Sequence, residues 1–233
     1  NLIEIIIKLF NILFKGKATP AQVVGVVKPT YPPILDKIYD MGFDVTSHGD
    51  YHLNIIGIRT KNQTPNKFDD HLFCVYQADG KWFQHRWNIT TDPGTYWLHY
   101  PLNELGTACV VADRQYKNVW QLGKHRGRYK ALVQSGNKIA VHRDNNKDNK
   151  INFDTIIEEG YFGINCHRAT TAIGGSVNVG KWSAGCQVFQ HPDDFKKFID
   201  LCVKQREGDI SSKFTYTLLN EWCTMEELDW DNE

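Results

Sequence analysis

The chain has 233 residues, 41% of them apolar and 12% aromatic, with 27 Lys and Arg against 27 Asp and Glu. That length supplies a core for one large domain, or one domain with an appendage, and the zero net charge excludes an overt nucleic-acid binder, which carries a clustered basic excess. The balance is segregated: residues 221–233 hold six acids and no Lys or Arg, which leaves 1–220 at about +6. The six cysteines, Cys74, Cys109, Cys166, Cys186, Cys202 and Cys223, form no CxxC pair, so neither a disulfide scaffold nor a zinc ribbon is expected.

In chain order, residues 2–14 are too short an apolar run to span a bilayer, and Glu4, Lys8, Asn11 and Lys15 recur at helical spacing. They predict an apolar helix with a narrow polar stripe, buried against the protein or a neighbouring subunit, with a membrane-surface anchor as the alternative. No basic leader or small-residue cleavage site precedes Gly16, so no signal peptide is visible and no transmembrane span is expected. Pro32-Pro33 resembles a helix start, with Gly42 placed to terminate the helix after Met41, and Thr19-Pro20 resembles another. Residues 1–49 therefore read as an N-terminal apolar helix and helical lead-in.

From residue 50 the pattern is mostly strand. β-branched and aromatic residues mark 52–60, 71–77 and 81–90, the last two joined across Ala78-Asp79-Gly80, a hairpin signal. Strands are also predicted over 107–112, 129–134, 138–142, 161–167, 185–190 and 214–219. One later segment has a helical period: Phe195, Phe198, Ile199, Cys202 and Val203 follow His191-Pro192-Asp193. The prediction is a mainly β domain over 50–220, a β-rich sandwich or barrel with a peripheral helix, followed by an acidic C-terminal tail over 221–233. The N-terminal helix and the tail are candidate contacts for an assembly partner.

The chemistry concentrates in Tyr161-Phe162-Gly163-Ile164-Asn165-Cys166-His167 and, after a Gly-containing loop, Trp182-Ser183-Ala184-Gly185-Cys186-Gln187-Val188. A thiol becomes a strong nucleophile when an imidazole takes its proton, and a Gly before it lets the backbone turn so that amides face a developing oxyanion. Cys166 adjoins His167, but adjacent strand residues point to opposite faces, which assigns Cys166 to the core.

With 15 residues between His167 and Ser183-x-Gly185-Cys186, this stretch resembles the catalytic domain of the L,D-transpeptidases, the YkuD-like family, over about residues 129–203. The resemblance implies that Cys186 is the nucleophile and His167 its base, oriented by the backbone carbonyl of Arg168. Ser183 and Gly185 shape the turn, and amides near Cys186 supply the oxyanion hole. Ala184 replaces the His that most members carry, and Val188 replaces a common Asn or Arg. Gln187 then stands in as a polar substrate contact, with Trp182 as a pocket wall. The form is similar to a divergent, phage-encoded branch.

Asp144, Asn146 and Asp148 sit at positions 1, 3 and 5 of a calcium-loop pattern, but Asn149 occupies the Gly position and Thr155 the position of the bidentate acid. The leading reading is a polar hairpin turn, with bound Ca²⁺ as an alternative and Arg143 as a substrate contact; no other cofactor is expected. Ser47-His48-Gly49-Asp50-Tyr51-His52 has the flavour of a zinc-peptidase segment without a third ligand, and reads as a turn before a strand. His125 falls in a basic stretch read as a solvated loop, with contact to the acidic groups of a wall peptide as the alternative.

The functional expectation is a peptidoglycan-active cysteine enzyme that transfers or hydrolyses the acyl group of wall stem peptides, at the cell envelope, in a phage virion or at lysis. The alternative is a non-catalytic structural or wall-binding component, such as part of a phage particle, that retains the fold.

Overall fold

Period-2 alternation between two buried faces accounts for most of the architecture. The structure is a computed structural model and describes residues 31–62, 64–208 and 212–230; the predicted helix over 2–14 and the helix start at Thr19-Pro20 lie outside the described residues. In chain order the elements are α1 (Pro33–Asp40), β1 (Asn54–Arg59), β2 (Asp70–Ala78), β3 (Lys81–Thr90), α2 (Thr95–His99), β4 (Thr107–Val110), β5 (Arg114–His125), β6 (Tyr129–Gln134), β7 (Ile139–Asp144), β8 (Ile157–Gly160), β9 (Cys166–Arg168), β10 (Gln187–Phe189), α3 (Pro192–Glu207) and β11 (Lys213–Asn220), with a 3₁₀ turn at Glu226–Leu228. Eight strands close a barrel in the order β1-β11-β5-β6-β9-β10-β3-β2, and β4, β7 and β8 form a separate three-stranded sheet. Most pairs are antiparallel; β1 with β11 and β9 with β10 are parallel. The sandwich-or-barrel expectation resolves to a closed barrel, which leaves no open edge.

The predicted hairpin forms, because Asp79 and Gly80 both adopt positive φ (50° and 74°) while Ala78 pairs with Lys81, the pattern of a two-residue primed turn. On β2, Leu72, Cys74 and Tyr76 face one apolar cluster, while Phe73 and Val75 face another that lies under α1. That second cluster joins Ile34, Leu35 and Ile38 of α1 to Ile56, Ile58, Leu219 and Leu228. At about 1.5–3 kcal/mol for each fully buried aliphatic side chain, this seam binds α1 to the barrel wall. Its members come from both sides of the predicted 50–220 boundaries, so the lead-in helix and the start of the acidic tail share the domain's packing. The tail folds back: Gln84 Nε2 donates to Leu228 O (2.7 Å) and Arg86 pairs with Asp229 (3.4 Å).

The helix after Pro192 forms as predicted but is not peripheral. Phe195, Phe198, Ile199 and Cys202 of α3 are buried in the same cluster as the barrel residues Leu72, Cys74, Trp120, Leu132 and Cys166. No helix among the described residues is long and apolar enough to cross a membrane. β5, α2 and β8 were not predicted. In β5 the register shifts opposite Phe214 and Tyr216, and Asn118 takes φ 53°. That bulge breaks the alternation a strand is read from.

Inside the barrel, Trp120 stacks on Tyr216 with ring centroids 4.4 Å apart and donates from Nε1 to Ile164 O (2.8 Å). Tyr216 Oη donates to Gln187 Oε1 (2.7 Å), and a Cβ at Gly57 would lie 2.1 Å from that hydroxyl, so only Gly admits the ring. Below, Arg59 pairs with Asp92 (3.0 Å), and Asp70 accepts from the Thr91 amide and hydroxyl at 2.7 and 2.8 Å, which ties β1 and β2 to the segment leading into α2. Tyr216→Phe keeps the ring but strands the Gln187 carbonyl in a dry interior; it is expected to cost about 1–3 kcal/mol of stability, read as a lower urea midpoint at unchanged slope.

Candidate functional site

The site is built on the shortest strands of the barrel. β9 and β10 run parallel with Gln187 opposite Cys166 and Val188 opposite His167. Because side chains alternate, Cys166 and Gln187 face the interior, while Asn165, His167, Cys186 and Val188 share the outer face. Cys186 lies beside Asn165, whose carbonyl accepts the Gln187 amide at 2.9 Å. His167 is therefore its diagonal neighbour on that face.

The loop over 169–186 is pinned from outside. Asn66 O accepts from the Val179 amide (3.2 Å) and Asn66 Oδ1 from the Gly180 amide (2.5 Å). Trp97 Nε1 donates to Lys181 O (3.2 Å), and the Gly94 amide donates to Ser183 O (2.9 Å). Ser183, fully buried, closes the turn before the thiol: its hydroxyl donates to Cys186 O (2.8 Å) and accepts from the Gly185 amide (3.1 Å). Gly185 has φ 118°, and a Cβ there would sit 2.6 Å from Ala108 O, so a side chain is refused by torsion and by space.

Cys186 and Cys223 are partly exposed, whereas Cys74, Cys109, Cys166 and Cys202 are sealed in the core. Cys186 Sγ accepts from the Asn165 amide (3.5 Å) and points at Gly163 O (3.6 Å). Burial pushes this thiol above its ordinary pKa, opposed by the Asn165 amide and the Arg126 charge. Cys223 is raised by burial and by Glu227 and Glu221.

The tautomer of His167 follows from its partners. Nδ1 lies 2.9 Å from Arg168 O; a carbonyl only accepts, so Nδ1 carries the proton and Nε2 keeps a lone pair. Tyr129 Oη also donates to Arg168 O (3.1 Å), and the Arg168 guanidinium covers the Tyr129 ring at 3.8 Å. Burial and the facing His125 ring push His167 down to about 3. At neutral pH the pair is a neutral thiol and a neutral imidazole, with no hydrogen bond between them.

His167 lines a cleft of ≈390 Å³ with Tyr129, Arg126, Arg128, Arg168, Lys181 and Trp182, and the lining contains no carboxylate. Trp182 is 45% exposed there. Gln187 is not in this cleft: it is fully buried, bonded to Tyr216 and to Gly185 O (3.3 Å), which corrects its expected place among substrate contacts. Arg143 is buried against Glu158 (2.5 Å) and over the Phe162 ring (4.6 Å), and borders a second cleft with Ala184.

The calcium-loop oxygens are turned inward on their own backbone. Asp144 accepts from the Asn146 and Asn152 amides (3.4 and 2.9 Å), and Asp148 from the Lys150 amide (2.7 Å). Among the described residues no group of three or more His, Cys, Asp or Glu is placed to hold a metal ion; His48 and His52 sit 5.3 Å apart in the turn before β1. Sequence reading missed His125, Asn165 and Tyr129. His125 is 9% exposed rather than solvated, and stacks on His167. Asn165 was legible in principle, since it lies two residues before His167 on one strand face.

No family model, curated protein or solved structure matches the chain. Gly185→Ala is expected to destabilise the fold by more than about 1 kcal/mol and to slow alkylation of Cys186 in whatever protein remains folded. Thermal melting and thiol mass spectrometry check both parts.

Proposed function

We propose that the protein is a cysteine acyl-transfer enzyme of the L,D-transpeptidase type, acting on peptide stems of peptidoglycan at the cell envelope, from a phage particle or at lysis. One observation carries the reading: a partly exposed thiol and an imidazole with its Nε2 lone pair free share one face of two adjacent parallel strands. The cationic, carboxylate-free lining of the adjoining cleft supports an anionic peptide as the ligand, and Trp182 offers it an apolar wall.

In this reading the resting pair is neutral, so deprotonation and attack are coupled. His167 Nε2 takes the Cys186 proton as sulfur bonds to the amide carbonyl, and the Cys186 backbone amide, which has no partner among the described residues, is available to the developing oxyanion. The imidazolium, whose remaining N–H is held on Arg168 O, returns the proton to the leaving amine. An incoming amine or water then releases the acyl group from sulfur, so transfer and hydrolysis differ only in the second nucleophile.

The unactivated state of the thiol, with Ala184 and Val188 in place of the usual family residues, favours a non-catalytic wall-binding component, and product analysis on purified peptidoglycan separates the two. Cys186→Ala is expected to lower muropeptide turnover by more than about a thousandfold with the fold intact; turnover equal to wild type sinks the assignment. Because the base must be unprotonated and His167 is held down to about 3, kcat/KM in the folded protein is expected to hold through pH 5 and fall only as pH drops towards that value. An ordinary histidine base would lose activity near pH 6.5.

A further inference from the structure

We propose that His125 is a positioning residue for the candidate base, locked as its Nε2–H tautomer by Asn165 and seated face to face on His167 so that both rings rest in their neutral form. This rests on the reading of His167 as the base of a cysteine acyl-transfer site.

Asn165 sets the chain of partners. The Gln134 amide donates to Asn165 Oδ1 at 2.9 Å, and a main-chain N–H has no capacity to accept, so the orientation of the Asn165 amide is determined. Its Nδ2 then lies 3.1 Å from His125 Nδ1 and must donate there. His125 Nδ1 is therefore an acceptor, and the neutral ring carries its proton on Nε2. Protonating Nδ1 would set two donors against each other and break the Asn165 bond.

His125 in turn faces His167, with ring centroids 3.9 Å apart and planes at 23°. The groups around the two rings are cationic or neutral. Arg126 and Tyr129 lie by His125; Arg126, Arg168 and Tyr129 lie by His167; Cys186 shares the face, and Lys181 borders the cleft. Among the described residues no carboxylate lines the cleft or acts on either ring to stabilise an imidazolium. Burial and Arg126 push His125 down to about 4. Asn165 also reaches the other partner, because its backbone N–H donates to Cys186 Sγ. One residue thus orients the stacked ring and the thiol together.

The test is long-range ¹H–¹⁵N imidazole spectroscopy on the full chain from pH 8 to 4, which reads tautomer and charge without activity. The expected result is His167 as Nδ1–H and His125 as Nε2–H, with both neutral at pH 5. His125→Ala is expected to raise the His167 titration by at least about one unit, a tenfold gain in proton affinity. His125→Phe, which keeps a ring face on His167, should leave that titration low. A His167 already protonated at pH 5 in the wild type, a His125 found as Nδ1–H, or equal titrations in wild type and His125→Ala overturns the proposal. If the tautomers and shifts hold while Cys186→Ala leaves peptidoglycan turnover intact, the positioning pair stands and the enzymatic reading fails.

Discussion

The parity of β10 governs everything at the site. Gln187 is a full amide inside an apolar barrel, tolerable only because both ends are bonded, one to Tyr216 Oη and the other to Gly185 O. A buried amide without those partners would cost several kcal/mol. With Gln187 fixed inward, Cys186 has to point outward, and the same parity on β9 sends Cys166 in and His167 out. A slip of one residue would exchange the two sets and bury the thiol. The outer face that carries Cys186 and His167 is thus specified from the interior, by a residue that touches nothing in the cleft.

The electrostatic design differs from that of a resting thiolate. Four cations border the cleft and both imidazoles are kept neutral, so positive potential is available to a ligand while His167 remains unprotonated. Burial raises the thiol and lowers the imidazole, which widens the gap between them and disfavours a standing ion pair. In the proposed reaction charge separation is deferred to the chemical step, when oxyanion and imidazolium would form together.

Much of the fold was legible because alternation and turn chemistry agree with it. The hairpin at Asp79-Gly80, the helix capped at Gly42 and the stripe from Phe195 to Cys202 each follow from local rules. What was not legible depends on long-range pairing. β5 is polar and bulged at Asn118, so its strand character comes from neighbours on both sides rather than from its own period. Gln187 looked like a surface contact because nothing local announces that Tyr216 waits across the barrel. The Cys186 and His167 positions were readable from a spaced motif, but His125 reaches them only through a hairpin whose register no single-sequence pattern conveys.

Closure of the barrel has a temporal side. The parallel seam between β1 and β11 pairs Ile55 with Tyr216 and Ile58 with Leu219, segments from nearly opposite ends of the described chain. Until β11 arrives, β1 and β5 each keep an unpaired edge, and Tyr216, the ring that fills the interior and anchors Gln187, is missing. The strands bearing the thiol and the imidazole are made before the piece that locks them. Such long-range contacts slow folding and prolong the exposure of sticky edges. The geometry at Cys186 therefore depends on a strand that follows both the thiol and the imidazole in the chain.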